Sequence, residues 1–346
     1  MSLSIQLPAL VMSTRPVVQS PVAVHTIRSG GPMQYRTLGR TGLKVSLMSY
    51  GTGGPSKLGQ NTGLSSIEQD DLIRRCLELG VNLFDTSEAC GDSETILGRA
   101  LKNAPKDSYI LATKCRYKDG SGDLRSPQDI ARSIESSLRR LDRDSIDIMQ
   151  FHVLNSNDYF DVVEQHYPVL KRFQEQGKIR FIGFSEQFML EGDHRGVVLA
   201  LKSHPDLWDT VMLKYGILNQ YAANEALPLA LEHNVGIINM ASVRVKLPNP
   251  VLLREQIAEW KRSGLLGQNS MPDDDPLGWL VSDDVESIID AGYKFAAGHP
   301  AISTVLTGTS SIHHLQSNAR ALKNPSLPEA HRQQLKDIFG EVTIYI

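Results

Sequence analysis

Cysteine is scarce in this chain: three residues among 346, Cys76, Cys90 and Cys115, at irregular spacing. An odd number without regular spacing makes no disulfide framework, which points to a reducing compartment or to no reliance on bridges. A strong charge of one sign is lacking too. The formal net charge of −3 gives no electrostatic reason to expect nucleic acid or an anionic membrane as partner. No apolar run approaches the ~20 residues of a membrane span. No Walker A sequence is present, and no Gly-x-Gly-x-x-Gly follows a strand and opens a helix, so a Rossmann domain is not supported. A nucleotide, if bound, must use another cradle. Acidic residues are missing from the start of the chain, the first being Glu68. Residues 1–33 hold Arg15 and Arg28, several serines and prolines, and no lysine. That composition is compatible with an organelle transit peptide. The preferred expectation is plainer: a disordered extension before a domain over 34–346, in a cytoplasmic protein.

What the chain does have is a regular alternation. The segment 35–44 carries two glycines among alternating residues, a hairpin signal. A strand over 45–51 follows, ending in Gly51-Thr52-Gly53-Gly54. Helical and extended patterns then take turns: helix 66–79, strand 81–85, helix 92–102, strand 109–114, helix 127–141, strand 146–152 and helix 159–176. They continue with strand 179–184, helix 190–203, strand 210–215, helix 223–234, strand 235–240, helix 283–297, strand 302–306 and helix 312–322. A last helix covers about 327–339. Strands alternating with helices imply a parallel sheet. Eight such units in about 300 residues fit a closed (β/α)8 barrel, of the TIM type, better than an open sheet. The segment 243–282, after strand seven, is too long for a simple connection. It is expected at the C-terminal mouth of the barrel, as a lid.

Strand ends are where such barrels keep their chemistry. Asp85 ends strand two, Cys90 lies in the loop after it, Lys114 ends strand three and His152 ends strand four. Taken singly, a helix N-cap, a solvated lysine and a structural histidine are adequate readings of Asp85, Lys114 and His152. Their joint spacing is more specific. With Gly91, Ser93 and Glu94, the set resembles the catalytic signature of the aldo-keto reductases, over nearly all of residues 34–340. Leu38-Gly-Arg-Thr-Gly-Leu-Lys-Val45, Gly177–Ser185 and Gly308-Thr309-Ser310-Ser311 with Asn318 resemble further motifs of that family. The mouth insertion is similar to its sugar-dehydrogenase branch.

The resemblance implies an NAD(P)-dependent oxidoreductase that moves a hydride between nicotinamide and a small carbonyl or alcohol. In the family a tyrosine is the proton donor, acidified by a lysine that an aspartate holds. Here Cys90 stands in the tyrosine position, beside Asp85, Lys114 and His152. A thiol beside Lys114 is expected to be driven toward thiolate, yet it is short and a weak donor. Hence a bridging water, or His152 as the acid, is needed. The resemblance also assigns Ser185, Glu186 and Met212 to the nicotinamide side of the cofactor, while Gly51 and Thr52 are expected at the cofactor because their glycine-rich loop lets backbone approach a ligand closely. The resemblance assigns Gly308, Thr309, Ser310, Ser311 and Asn318 to the phosphate and adenosine side. Glu186 and Met212 replace the family's amide-bearing residues, and Ala241 stands where many members have a stacking aromatic. Ile312, His313 and His314 follow Ser311 without the arginine used against a 2′-phosphate, which tilts the cofactor toward NAD over NADP. The competing reading is a catalytically silent, nucleotide-binding barrel with a regulatory role. A metal held by Cys90, His152, Asp85 and Glu186 is disfavoured, because Lys114 would repel the cation.

Overall fold

The computed structural model describes residues 31–343. The expectations for residues 1–33 therefore fall almost wholly outside the described part. A two-stranded antiparallel hairpin, β1 (Tyr35–Thr37) and β2 (Lys44–Ser46), comes first. Eight strands then close in chain order into an all-parallel barrel: β3 (Met48–Gly51), β4 (Leu83–Asp85), β5 (Ile110–Cys115), β6 (Ile146–Leu154), β7 (Ile179–Glu186), β8 (Thr210–Lys214), β9 (Gly236–Met240) and β10 (Ile302–Thr307). The last strand pairs with both β9 and β3, which closes the ring. The (β/α)8 barrel expected from the alternation is the observed fold.

The single strand expected over 45–51 is two strands. The chain turns at Leu47, so that β2 serves the hairpin and β3 the barrel. The hairpin plugs the N-terminal end. Leu38, Val45, Leu83, Ile110, Ile148, Met212 and Ile238 form an apolar cluster inside the ring. Leu38 lies so close to Gly236 that a Cβ there would stand 2.7 Å from its side chain, so only glycine lets the plug seat. This cluster fills the barrel at the hairpin end, and Met212, Met240 and Leu306 carry its apolar surface up to the cavity at the C-terminal end.

Helices α1 (Ser66–Glu78), α2 (Ser93–Ala100) and α3 (Pro127–Arg140) cover the sheet after their strands. Ser65 and Glu68 form a capping box on α1, and Ser126 with Pro127 opens α3. The helix expected over 159–176 is broken into α4 (Tyr159–Gln165) and α5 (Tyr167–Glu175). Pro168 explains the break, since it has no N–H to bond the preceding turn. Helix α6 (Arg195–Ser203) begins later than the pattern suggested. The buried Glu191 carboxylate takes the Gly196 N–H at 2.9 Å and so fixes its start. The remaining helices are α7 (Ala226–Glu232), α8 (Pro250–Arg262), α9 (Ile288–Ala297), α10 (Ile312–Lys323) and α11 (Glu329–Phe339). The insertion divides its role. Residues 241–248 reach the mouth of the barrel, whereas α8 packs outward, with Trp260 against Phe339 of α11 at 6.2 Å.

Candidate active site

The strand register sets the polar half of the barrel. Asp85 closes β4 opposite Ala112, which puts Lys114 of β5 two residues higher and opposite Gln150 of β6. Lys114 Nζ donates to both Asp85 oxygens, at 2.6 and 2.5 Å, and to the Thr86 carbonyl at 2.8 Å. The Gln150 amide donates to the same carboxylate at 3.4 Å. Both members of the pair are buried, with side chains 6% exposed. Burial pushes the Asp85 carboxyl up, against the pull of Lys114 and of Gln150. Such a pair is costly to bury and strongly destabilising to break. Its placement facing a cavity therefore asks for a function.

His152 lies further along β6. Its Nδ1 is 3.1 Å from Ser87 Oγ. Burial and the nearby charges of Lys114 and Arg116 push the imidazole down to about 3, so it is neutral at ordinary pH. Ser87 Oγ accepts from the Ala89 N–H at 3.1 Å, which leaves its proton for Nδ1 in preference to the Lys114 carbonyl at 3.5 Å. We assign the proton of the ring to Nε2 on this network. His152 then offers a neutral N–H donor. Replacing Ser87 with Ala removes the group that selects this tautomer. We expect kcat/KM to fall roughly tenfold, the scale of one net hydrogen bond, with the fold intact by circular dichroism. An unchanged kcat/KM would contradict the assignment.

Cys90 sits in the loop after β4, half-buried. The Ser93 hydroxyl at 2.9 Å and the Gln60 amide at 3.2 Å hold its carbonyl. The chain at Gly53 passes directly over the thiol, where a Cβ would stand 3.2 Å from Sγ. The thiolate expected from the sequence is not what the site favours. Burial pushes the thiol up, and Lys114 only partly offsets it. Cys76 and Cys115 are also free thiols, fully buried.

Asp85, Cys90, Lys114 and His152 all open on one cavity of about 750 Å³ at the C-terminal end of the barrel. Gly51, Ser185, Glu186, Met212 and Gly308 line it as well. Ser185 Oγ accepts the Val153 N–H at 2.9 Å. Glu186 is committed elsewhere: one oxygen meets His194 Nδ1 at 2.7 Å, the other the Lys214 N–H at 2.6 Å. Burial opposes the charge on His194, but Glu186 raises its pKa above the ordinary value.

Five residues assigned to the cofactor lie off the cavity wall. Thr52 is fully buried beside Asp85, its N–H on the Asp85 carbonyl at 2.9 Å. Thr309, Ser310 and Ser311 form the turn from β10 into α10, and Asn318 is buried within α10. Ser311 caps α10 through the His314 N–H at 3.3 Å. The amides of Ile312 and His313, in the first turn, are left without an intrahelical acceptor.

Sequence reasoning overlooked Lys57, Arg116, Phe188, Arg244 and Tyr293, all on the cavity wall. Four of them lie in segments just after strands, a position that alone could have flagged them. Tyr293 comes from α9, and nothing in its surroundings in sequence marks it. Among the described residues no three of His, Cys, Asp or Glu are placed to hold a metal. No helix among them is long and apolar enough to cross a membrane.

At one mouth of the eight-stranded parallel barrel, a buried aspartate–lysine pair and a neutral histidine can present positive charge and an N–H donor to a ligand oxygen. The chain belongs to the aldo/keto reductase family, whose model matches residues 48–339. It is 30% identical over 304 residues to L-galactose dehydrogenase of Arabidopsis thaliana, covering 84% of this chain and 88% of that protein. It is 32% identical over 217 residues to the NADH-specific methylglyoxal reductase of Escherichia coli (strain K12), over 57% of this chain and 64% of that protein. The holo form of an aldo-keto reductase from Bacillus halodurans has the same fold, with a TM-score of 0.68 at 23% identity over 90% of this chain and 98% of that one. Membership places the chain among nicotinamide-dependent oxidoreductases of carbonyl compounds and alcohols.

Proposed function

We propose that this chain reduces a small aldehyde or ketone, or oxidises the matching alcohol, with Cys90 in the position of the family's tyrosine. A sugar is the substrate class that the L-galactose dehydrogenase relative suggests. The observation that carries the reading is the buried Asp85–Lys114 pair facing the same cavity as the neutral His152.

The site fits the cofactor. The cavity runs from His152 past Ser185 to Gly308, beside the β10–α10 turn. The open amides of Ile312 and His313 suit a phosphate, because a helix N-terminus attracts anions. Ser310, Ser311 and Asn318 would flank the adenosine end, with Gly51, Ser185 and Met212 near the nicotinamide. Thr52 and Thr309 would support these segments from behind. Glu186 would act through Lys214 and His194 rather than on the carboxamide. When bound, the nicotinamide supplies or accepts the hydride.

The chain's own residues do the rest. His152 Nε2–H donates to the carbonyl oxygen and so favours the alkoxide that develops there. The Lys114 ammonium, fixed by Asp85, provides positive charge at the same place. The Cys90 thiol is short and holds its proton, so a water in the space a phenol would fill relays a proton from solvent at the cavity mouth to the oxygen, taking one proton as it gives one. His152 cannot be that acid near neutrality, because the imidazolium form is scarce above about pH 3.

Fluorescence quenching with NADH and NADPH tests the cofactor. We expect both to bind, with NADH favoured, since no arginine follows Ser311. A silent barrel would bind NADH and turn over no carbonyl. Alkylation gives a second test. With Cys76 and Cys115 fully buried, iodoacetamide is expected to label Cys90 alone, faster as pH rises, and more slowly with NADH present. Intact mass would show one adduct. Two adducts would contradict the burial of Cys76 and Cys115, and no protection by NADH would contradict this placement of the cofactor.

A further inference from the structure

The charges around the cavity do not balance. Two acidic side chains face it, Asp85 and Glu186, and both are committed, to Lys114 and to His194. Besides Lys114, three cations face it: Lys57, Arg116 and Arg244. Among the described residues, none of those three has a carboxylate within salt-bridge distance, although most other arginines of the chain do. His152 adds no negative charge, being neutral. Two of the cations belong to the reacting end. Lys57, in the loop after β3, is near enough for its charge to act on the Cys90 thiol. Arg116, just after β5, acts likewise on the His152 ring. Arg244 lies elsewhere, where its charge acts on Lys214 at the end of β8.

We propose that Lys57 and Arg116 select a substrate bearing a carboxylate beside its carbonyl-containing chain, such as an acidic sugar or an aldehyde acid. The inference rests on the reading of this cavity as a carbonyl site. The physical case is that unpaired cations at a concave, partly apolar wall raise the local concentration of anions. Arg116 also offers a planar fork that matches a carboxylate with two parallel bonds. A neutral carbonyl compound leaves both groups facing water and gains nothing from them.

The test uses two probes of one shape and different charge, 4-carboxybenzaldehyde and its methyl ester. The wild-type protein is expected to favour the acid at least tenfold in kcat/KM, mostly through KM, and less so as salt screens the charges. In the double variant Lys57→Gln/Arg116→Gln the ratio should fall to near one, while the Kd for NADH stays within about twofold. A calorimetric titration of the protein–NADH complex with 4-carboxybenzoate reads the same contact without turnover. It should show binding in the wild type and at least tenfold weaker binding in the double variant. If no carbonyl is reduced, the proposed activity fails, and the titration still decides the carboxylate site. Equal use of acid and ester would overturn it. So would a double variant that loses NADH affinity and leaves the acid-to-ester ratio unchanged, which would assign the cations to the cofactor.

Discussion

Replacing Lys114 with Met is expected to lower turnover by about 10²–10⁴-fold, the range for losing a group that assists proton movement and charge development. The same change leaves Asp85 buried without the cation that holds both its oxygens. Breaking a buried pair in this way typically costs about 3–5 kcal/mol. Urea unfolding should therefore show a lowered midpoint with an unchanged slope. The two effects separate in the double variant Lys114→Met/Asp85→Asn, which removes the stranded charge. We expect it to recover much of the stability and none of the turnover. If the double variant regained activity, the ammonium would have no chemical role and the pair would be structural.

The second large effect lies at His152 and Cys90. With the proton supplied by water and the carbonyl oxygen held by His152, His152→Ala should cost about 10²–10⁴-fold in kcat/KM, and Cys90→Ala less than tenfold. The reverse order would return the thiol to the centre of the reaction. Cys90→Tyr is expected to raise activity on simple aldehydes modestly. The phenol would reach into the cavity toward Lys114 and take the place of the water. A tyrosine variant that folds and binds NADH yet reduces nothing would favour the silent barrel. The pH behaviour follows from the same ring. Because the folded His152 titrates far below its unfolded value of about 6.5, its contribution to stability is complete above pH 6.5. It is lost as the pH falls from there toward 3. Unfolding of His152→Ala should accordingly depend less on pH across that window.

Much of this was legible in the chain because the signals were local. The alternation of buried strands and amphipathic helices is written residue by residue, and it led to the barrel. Asp85, Lys114 and His152 stand at strand ends, so a parallel barrel had to bring them to one mouth. The remainder depends on contacts that no local pattern encodes. The break at His166 was visible in Pro168 but outweighed by the long apolar period around it. Glu186 was expected on the nicotinamide side, and only the approach of His194 from eight residues later and of the Lys214 N–H shows its two oxygens occupied. The state of the Cys90 thiol was misjudged for a similar reason. Sequence supplies the neighbouring Lys114, but the burial that outweighs it comes from Gly53 and the loop around it. Arg244 reaches the cavity through the insertion and Tyr293 from α9, and their placement is set by packing between the two, with Leu247 beside Gly292.

In the proposed reaction, hydride passes between nicotinamide and a carbonyl carbon in the Asp85–Lys114–His152 cavity. Incubation of the wild-type protein with NADH deuterated at C4 and a panel of small aldehydes, followed by mass analysis of the alcohols, tests it most directly. Deuterium is expected on the new carbinol carbon, from one face of the nicotinamide, and with Lys114→Met it should accumulate about 10²–10⁴-fold more slowly. Tight NADH binding with no deuterium in any product would contradict it.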